Sequence, residues 1–107
     1  MNAETRNFTR KPIRGRTIVV FPDGRRLGGS AHDLSLGGIC IMVPEQMPAG
    51  LVCTTALETT LAGRTVHLVA TAKVVYSILK GTEGFRTGLE FSELDAANNK
   101  TLAELMI

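Results

Sequence analysis

The stretch from Thr65 to Ile78 constrains the fold more than any other part of the chain. Val66, Leu68, Ala70, Ala72, Val74, Tyr76 and Ile78 alternate with Thr65, His67, Val69, Thr71, Lys73, Val75 and Ser77. A period of two over that length predicts a long antiparallel strand with one buried face. Its neighbours repeat the pattern. Leu51, Cys53, Thr55, Leu57, Thr59 and Leu61 share one face of a preceding strand, and Ala62-Gly63 makes the hairpin turn between them. After a turn at Gly81–Gly84, Phe85, Thr87, Leu89 and Phe91 form the inward face of a last strand.

Earlier in the chain, Arg16–Phe21, Arg26–His32 and Ile39–Val43 read as shorter strands. Pro22-Asp23-Gly24 supplies the first turn, with proline fixing φ and Asp and Gly tolerating the tight positions. At Ser92 the period lengthens. Ser92 and Asp95 resemble a capping box, and Leu94, Ala97 or Asn98, Thr101, Leu102 and Leu105 fit one apolar helical stripe. The expected class is mainly β: a six-stranded antiparallel barrel over residues 16–107, closed by one carboxyl-terminal helix. Residues 1–15 are polar and basic, contain Pro12 and Gly15, and are expected to form a flexible arm.

The 107 residues suffice for one core. Net charge is only +2, against a bulk nucleic-acid binder, but between Arg6 and Arg26 the seven cations Arg6, Arg10, Lys11, Arg14, Arg16, Arg25 and Arg26 face a single acid, Asp23. Such a local field suits a small polyanion. There is no Trp and one Tyr, so base-stacking platforms for a nucleic-acid polymer are scarce. Cys40 and Cys53 lie in apolar strands without metal-ligand spacing, as two buried thiols of a reducing compartment would. The amino terminus has no apolar signal segment and no run reaches membrane-spanning length, so a cytoplasmic protein without membrane insertion is expected.

Two short segments carry the chemistry. Arg6-Asn7-Phe8-Thr9-Arg10 holds two arginines four apart, and Arg10-Lys11-Pro12-Ile13-Arg14 has the same form. A guanidinium grips phosphate with parallel hydrogen bonds and stacks on a purine. Asp33-Leu34-Ser35-Leu36-Gly37-Gly38 joins two strands. An ionised Asp33 accepts two adjacent donors, as the N1–H and 2-amino edge of guanine presents them. Ser35 offers a hydroxyl, and Gly37 and Gly38 allow close backbone approach. The plain alternatives are a solvated tail and an Asp-x-Ser turn that bonds its own backbone.

Together, in this order, the two segments resemble the PilZ domain, a bacterial receptor for cyclic di-GMP. Its Arg-x-x-x-Arg arm precedes the barrel, and its Asp/Asn-x-Ser-x-x-Gly motif follows the second strand. Arg6 and Arg10, followed by Lys11-Pro12-Ile13, match the first motif better than Arg10 and Arg14. Asp33, Ser35 and Gly38 match the second, and Gly88-Leu89-Glu90-Phe91 is similar to the family's last strand. The resemblance implies that Arg6 and Arg10 clamp the phosphates of cyclic di-GMP while Asp33, Ser35 and the Gly38 backbone hold a guanine. It implies no further cofactor, and an effector protein downstream in motility, biofilm or secretion control. Thr5 stands where many members carry a further arginine that favours two stacked ligands, which points to one ligand here. Tyr76 is near an aromatic that touches ligand in some relatives, but its alternation assigns it to the core.

Catalysis finds little footing. His32, Asp33 and Ser35 are neighbours in sequence, which is not the convergence in space that a triad needs. His67 reads as a surface residue, and no metal-ligand constellation is present. The remaining alternative is a protein-binding adaptor of the same fold that has lost its nucleotide. Such members typically lack both motifs, and here both are present.

Overall fold

In the computed structural model, which describes residues 8–107, the alternating segments become strands. The order is β1 (Lys11–Pro12), β2 (Arg16–Val20), β3 (Arg26–Ser35), β4 (Gly38–Val43), β5 (Val52–Leu61), β6 (Arg64–Leu79), β7 (Phe85–Glu93) and α1 (Ala96–Leu105). All pairings are antiparallel, in the order β1-β3-β2-β5-β6-β7-β4, and β4 pairs again with β3. The six expected strands therefore close into a ring, and a seventh, two-residue strand lies at the root of the arm. Within the segment expected as arm, Lys11 pairs opposite Leu34 and Pro12 opposite Asp33, and Ile13 N–H donates to the His32 carbonyl.

Along β5, β7 and β6 as far as Val74, the inward faces are those the alternation assigns. Cys53, Leu57, Leu68, Ala72, Val74 and Leu89 are buried with Val19, Leu34, Ile39 and Ile41. Leu34 and Ile41 are fully excluded from water, and burying one such side chain contributes about 1.5–3 kcal/mol. Cys53 belongs to this core, whereas Cys40, also buried, lies outside it.

Three register shifts interrupt the pairing, one of them leaving Ser92 as an extra residue on β7 between the Thr71–Glu93 and Ala72–Phe91 pairs. On β3, Ala31 pairs with Ile41 and Leu34 with Ile39, so His32 and Asp33 together oppose Cys40. On β6, Val74 pairs with Leu89 and Ser77 with Thr87, so Val75 and Tyr76 together oppose Gly88. The bulge at Val75 and Tyr76 corrects the sequence reading of β6. Beyond it the parity reverses, Ser77 turns inward to bond Thr87 Oγ1 at 2.8 Å, and Ile78 is 51% exposed. Tyr76 leaves the core face for the outer one.

The helix also begins later than the capping box suggested. Asp95 is the N-cap, its carboxylate accepting from Asn98 N–H at 2.8 Å, while Ser92 Oγ donates to the Thr71 carbonyl. Two hydrogen bonds from Asn98 hold the Asp95 carboxyl below its ordinary range. Leu102 and Leu105 seat α1 on the core. Lys11 Nζ then donates to the main-chain oxygens of Leu105 and Ile107 at 2.9 and 3.1 Å, capping the helix with a cation from the arm root.

The β5–β6 hairpin turns through Ala62 (φ 51°) and Gly63 (φ 78°). A side chain at the first of these left-handed positions is strained by roughly 1–2 kcal/mol. Ala62→Gly is expected to raise unfolding stability by about 0.5–1 kcal/mol, the relief outweighing glycine's added freedom in the unfolded chain. An upward shift of the urea midpoint checks this, and an unchanged or lower midpoint contradicts it.

Candidate functional site

Cys40 pairs opposite Gly88, so the bulge on β3 and the one at Val75–Tyr76 on β6 lie on one cross-strand row: Asp33 on β3, Cys40 on β4, Gly88 on β7, Tyr76 on β6. A bulge re-aims a side chain that strict alternation would send inward. Asp33 and Tyr76 are re-aimed in this way, and they flank two small residues on the outer face of the ring. The Tyr76 ring lies over Gly88, where a Cβ would sit 2.3 Å from a ring carbon. Its hydroxyl reaches Cys40 Sγ at 3.7 Å. Burial pushes the Tyr76 phenol up to about 12, with the Cys40 contact adding to it. Burial likewise raises the Cys40 thiol, partly offset by the Tyr76 hydrogen bond. Both groups stay neutral near pH 7, and the thiol is an inert part of the wall.

The arm crosses over this row. Pairing of Lys11 and Pro12 with β3 delivers Arg10 beside Asp33, and Arg10 Nη1 donates to Asp33 Oδ1 at 3.0 Å. The Asp33 side chain is 20% exposed and that of Arg10 41%. Next along the arm, the Phe8 ring rests on Gly37, leaving no room for a Cβ there. Phe8, Arg10, Ser35, Gly38, Tyr76 and Glu90 line a pocket of about 50 Å³. That volume admits a few waters but not a purine.

Of the residues predicted from sequence, Arg10, Ser35 and Gly38 line this pocket and Asp33 holds Arg10 at its rim. Arg6 lies outside the described residues. Ser35 is the buried last residue of β3, where the turn to β4 begins. Its Oγ accepts from Gly37 N–H at 3.2 Å and Gly38 N–H at 3.1 Å, the self-bonding turn named above as the plain alternative. Gly38 pairs opposite Glu90 so closely that a Cβ would strike the Leu89 carbonyl. Asp33 is not in the turn; it stands within β3. His32 Nε2 is 3.9 Å from Asp33 Oδ2, and the Ser35 hydroxyl bonds its own turn rather than that histidine. Among the described residues no three metal-ligating side chains converge.

Two further residues of the site, Tyr76 and Phe8, are not among the residues that match the two motifs. Tyr76 was assigned inward because a bulge leaves no mark on a period-two pattern. Phe8 did carry a signal: it is an aromatic set midway between Arg6 and Arg10 in an otherwise polar arm.

A family model described as the PilZ domain matches residues 4–107. The chain belongs to the PilZ domain family. Among solved structures, the PilZ fold of this chain is similar to the Bacillus subtilis inhibitor of motility MotI/DgrA, with TM-score 0.75, 16% identity, and 89% of this chain and 46% of that one covered. It is similar to Escherichia coli YcgR in complex with c-di-GMP, with TM-score 0.72, 16% identity, and coverage of 92% and 43%. The PilZ domain of CeSA from a cellulose-synthesizing bacterium gives TM-score 0.58, 23% identity, and coverage of 91% and 93%. The chain thus spans less than half the length of the first two. No curated protein matches it. Among the described residues no helix is long and apolar enough to cross a membrane.

If Tyr76 is the lid over Cys40, Tyr76→Ala should raise the rate of Cys40 modification by a thiol reagent at pH 8 by about an order of magnitude or more. Cys53 in the core serves as the unreactive internal control. An unchanged Cys40 rate would contradict the arrangement.

Proposed function

We propose that this PilZ domain is a receptor for cyclic di-GMP, acting without enzymatic activity of its own and signalling through its arm to a protein partner. The observation that carries the reading is the Arg10–Asp33 ion pair at the mouth of a pocket walled by Phe8 and Tyr76. Each half of the pair matches one half of a cyclic dinucleotide. The guanidinium fits a phosphate, and the carboxylate fits the donor edge of guanine. Binding exchanges partners: phosphate replaces Asp33 on Arg10, and guanine replaces Arg10 on Asp33. A half-exposed ion pair is worth only about 0–1 kcal/mol, so little stability is lost in breaking it.

The pocket's small volume adds a requirement. Phe8 must leave Gly37 before a base enters, so binding and arm movement are one event. Arg6 joins Arg10 on the phosphates in this reading. Ser35 contributes by shaping the Gly37–Gly38 turn against which the guanine rests, since its hydroxyl oxygen is occupied by two backbone N–H groups. Residues 1–15 act as the clamp and residues 16–107 as the body it closes on. Support from relatives is that YcgR, a structure of this fold, is known in complex with c-di-GMP. Control of motility, biofilm formation or secretion in the cytoplasm is the process proposed, and MotI, an inhibitor of motility, is consistent with it. The commitment of Ser35 and Gly38 to their own turn favours one rival, an adaptor of the same fold that binds protein alone.

Removing one partner of a charge-assisted contact costs about 1.5–3 kcal/mol. Arg10→Ala is therefore expected to lower cyclic di-GMP affinity by about one to two orders of magnitude in equilibrium dialysis, below detection for a weak starting affinity. Arg14→Ala should weaken binding only modestly, through the lost local field. Equal loss in both variants would place the clamp one register further along the arm.

A further inference from the structure

The ring is not sealed everywhere. β2 pairs with β5 only as far as Arg16 opposite Glu58. Past that point the two diverge. The chain before Arg16 turns onto β3 as β1, while β5 runs on through Thr59, Thr60 and Leu61 paired only with β6. Thr59 Oγ1, donating to the Arg14 carbonyl at 2.5 Å, is the last tie across the split. What opens there is a groove of about 620 Å³, walled by Lys11–Arg16 and Glu58–Leu61 with Leu105 at one end. It shares no residue with the pocket under Phe8.

The two walls differ as strand edges. Pro12 has no N–H, which blunts the arm-root wall for pairing. Thr59–Leu61 have a strand on one side only, and an edge of that kind accepts an extended chain through main-chain hydrogen bonds. The charges around it are mainly positive. Lys11, Arg14 and Arg16 line the groove with Glu58 as the single acid. Arg16 pairs with Glu58, and Lys11 is turned to the end of α1. Arg14 is exposed and makes no ion pair among the described residues.

We propose that this split is a docking site for an extended acidic segment of a partner protein, added as a strand to the free edge of β5 with its carboxylates on Arg14. The receptor reading calls for a partner without locating it, and the inference rests on that reading only in this. The groove wall begins at Lys11, the residue after Arg10, so the segment that would exchange Asp33 for phosphate at one end forms the partner's berth at the other.

The test is fluorescence anisotropy of the whole chain with a short labelled peptide of alternating Glu and Val. A Lys-Val peptide and an alternately N-methylated Glu-Val peptide serve as controls. The acidic peptide is expected to bind, and the lysine peptide to bind at least about tenfold more weakly. N-methylation should abolish binding on one edge of the peptide, and Arg14→Glu should lower affinity for the acidic peptide by about tenfold or more. Amide resonances of Thr59–Leu61 should shift. The proposal is overturned by no binding at millimolar peptide, by equal binding of the two charge types, or by shifts confined to other strands. Concentration-dependent dimerisation through Thr59–Leu61 would also overturn it, since a second copy would then be the occupant. Cyclic di-GMP titrated in parallel separates the two readings: peptide binding without nucleotide binding sinks the receptor and leaves the groove, and the reverse does the opposite.

Discussion

The structure depends on one strand changing partners part-way along. β3 pairs with β2 over Arg26–Ser30 and with β4 over Ser30–Ser35, and this switch closes the sheet into a ring. A strand that serves both neighbours must bend, and a bulge is the least disruptive way to do it. The bend falls at His32 and Asp33, which turns a carboxylate outward in the middle of a strand. Had the alternation of Leu27, Gly29 and Ala31 continued, Asp33 would point into the core, where an unpaired charge is prohibitive. The device that closes the fold thus also presents the acid of the candidate site. Across the same row, the β6 bulge presents Tyr76, and the small residues Cys40 and Gly88 between them leave room for the Tyr76 ring to lie flat on the outer face.

The arm is placed by the same strand. Two residues of pairing to β3, the Ile13 backbone bond and the Lys11 cap on α1 fix the root of the arm, and Arg10 is the last described cation before the chain reaches Phe8. In this arrangement the site is closed by its own groups: Arg10 on Asp33, Phe8 on Gly37. These contacts are individually weak, an exposed ion pair and a half-exposed ring. Weak self-contacts that a ligand replaces with better-matched ones give a switch with a small energy gap, and ligand binding is then inseparable from a change in the arm.

Most of the fold was legible because burial is periodic. The faces of β5, β7 and the first part of β6 follow from every second residue, and α1 from the change of period after Phe91. What was not legible has a common cause. The parity reversal after Val74, the outward turn of Tyr76 and the position of Asp33 inside a strand all come from bulges, which depend on partner strands far away in sequence. The cap at Asp95 rather than Ser92 is a local competition, decided by β7 continuing to Glu93 and holding Ser92 in the sheet. For the site, motif chemistry pointed to Arg10 and Asp33, which the fold brings into contact from residues distant in the chain. For Ser35 it left two uses open, ligand contact and a self-bonding turn, and the hydroxyl oxygen accepts from its own turn.

The measurement that bears most directly on the account is isothermal titration of the whole chain with cyclic di-GMP, with GTP and cyclic di-AMP as controls. The account predicts saturable binding of cyclic di-GMP, one per domain, with no comparable heat from the adenine dinucleotide or the mononucleotide. Equal heats for the guanine and adenine dinucleotides would remove Asp33 as the reader. Absence of binding at high ligand would leave the ring standing and contradict the receptor.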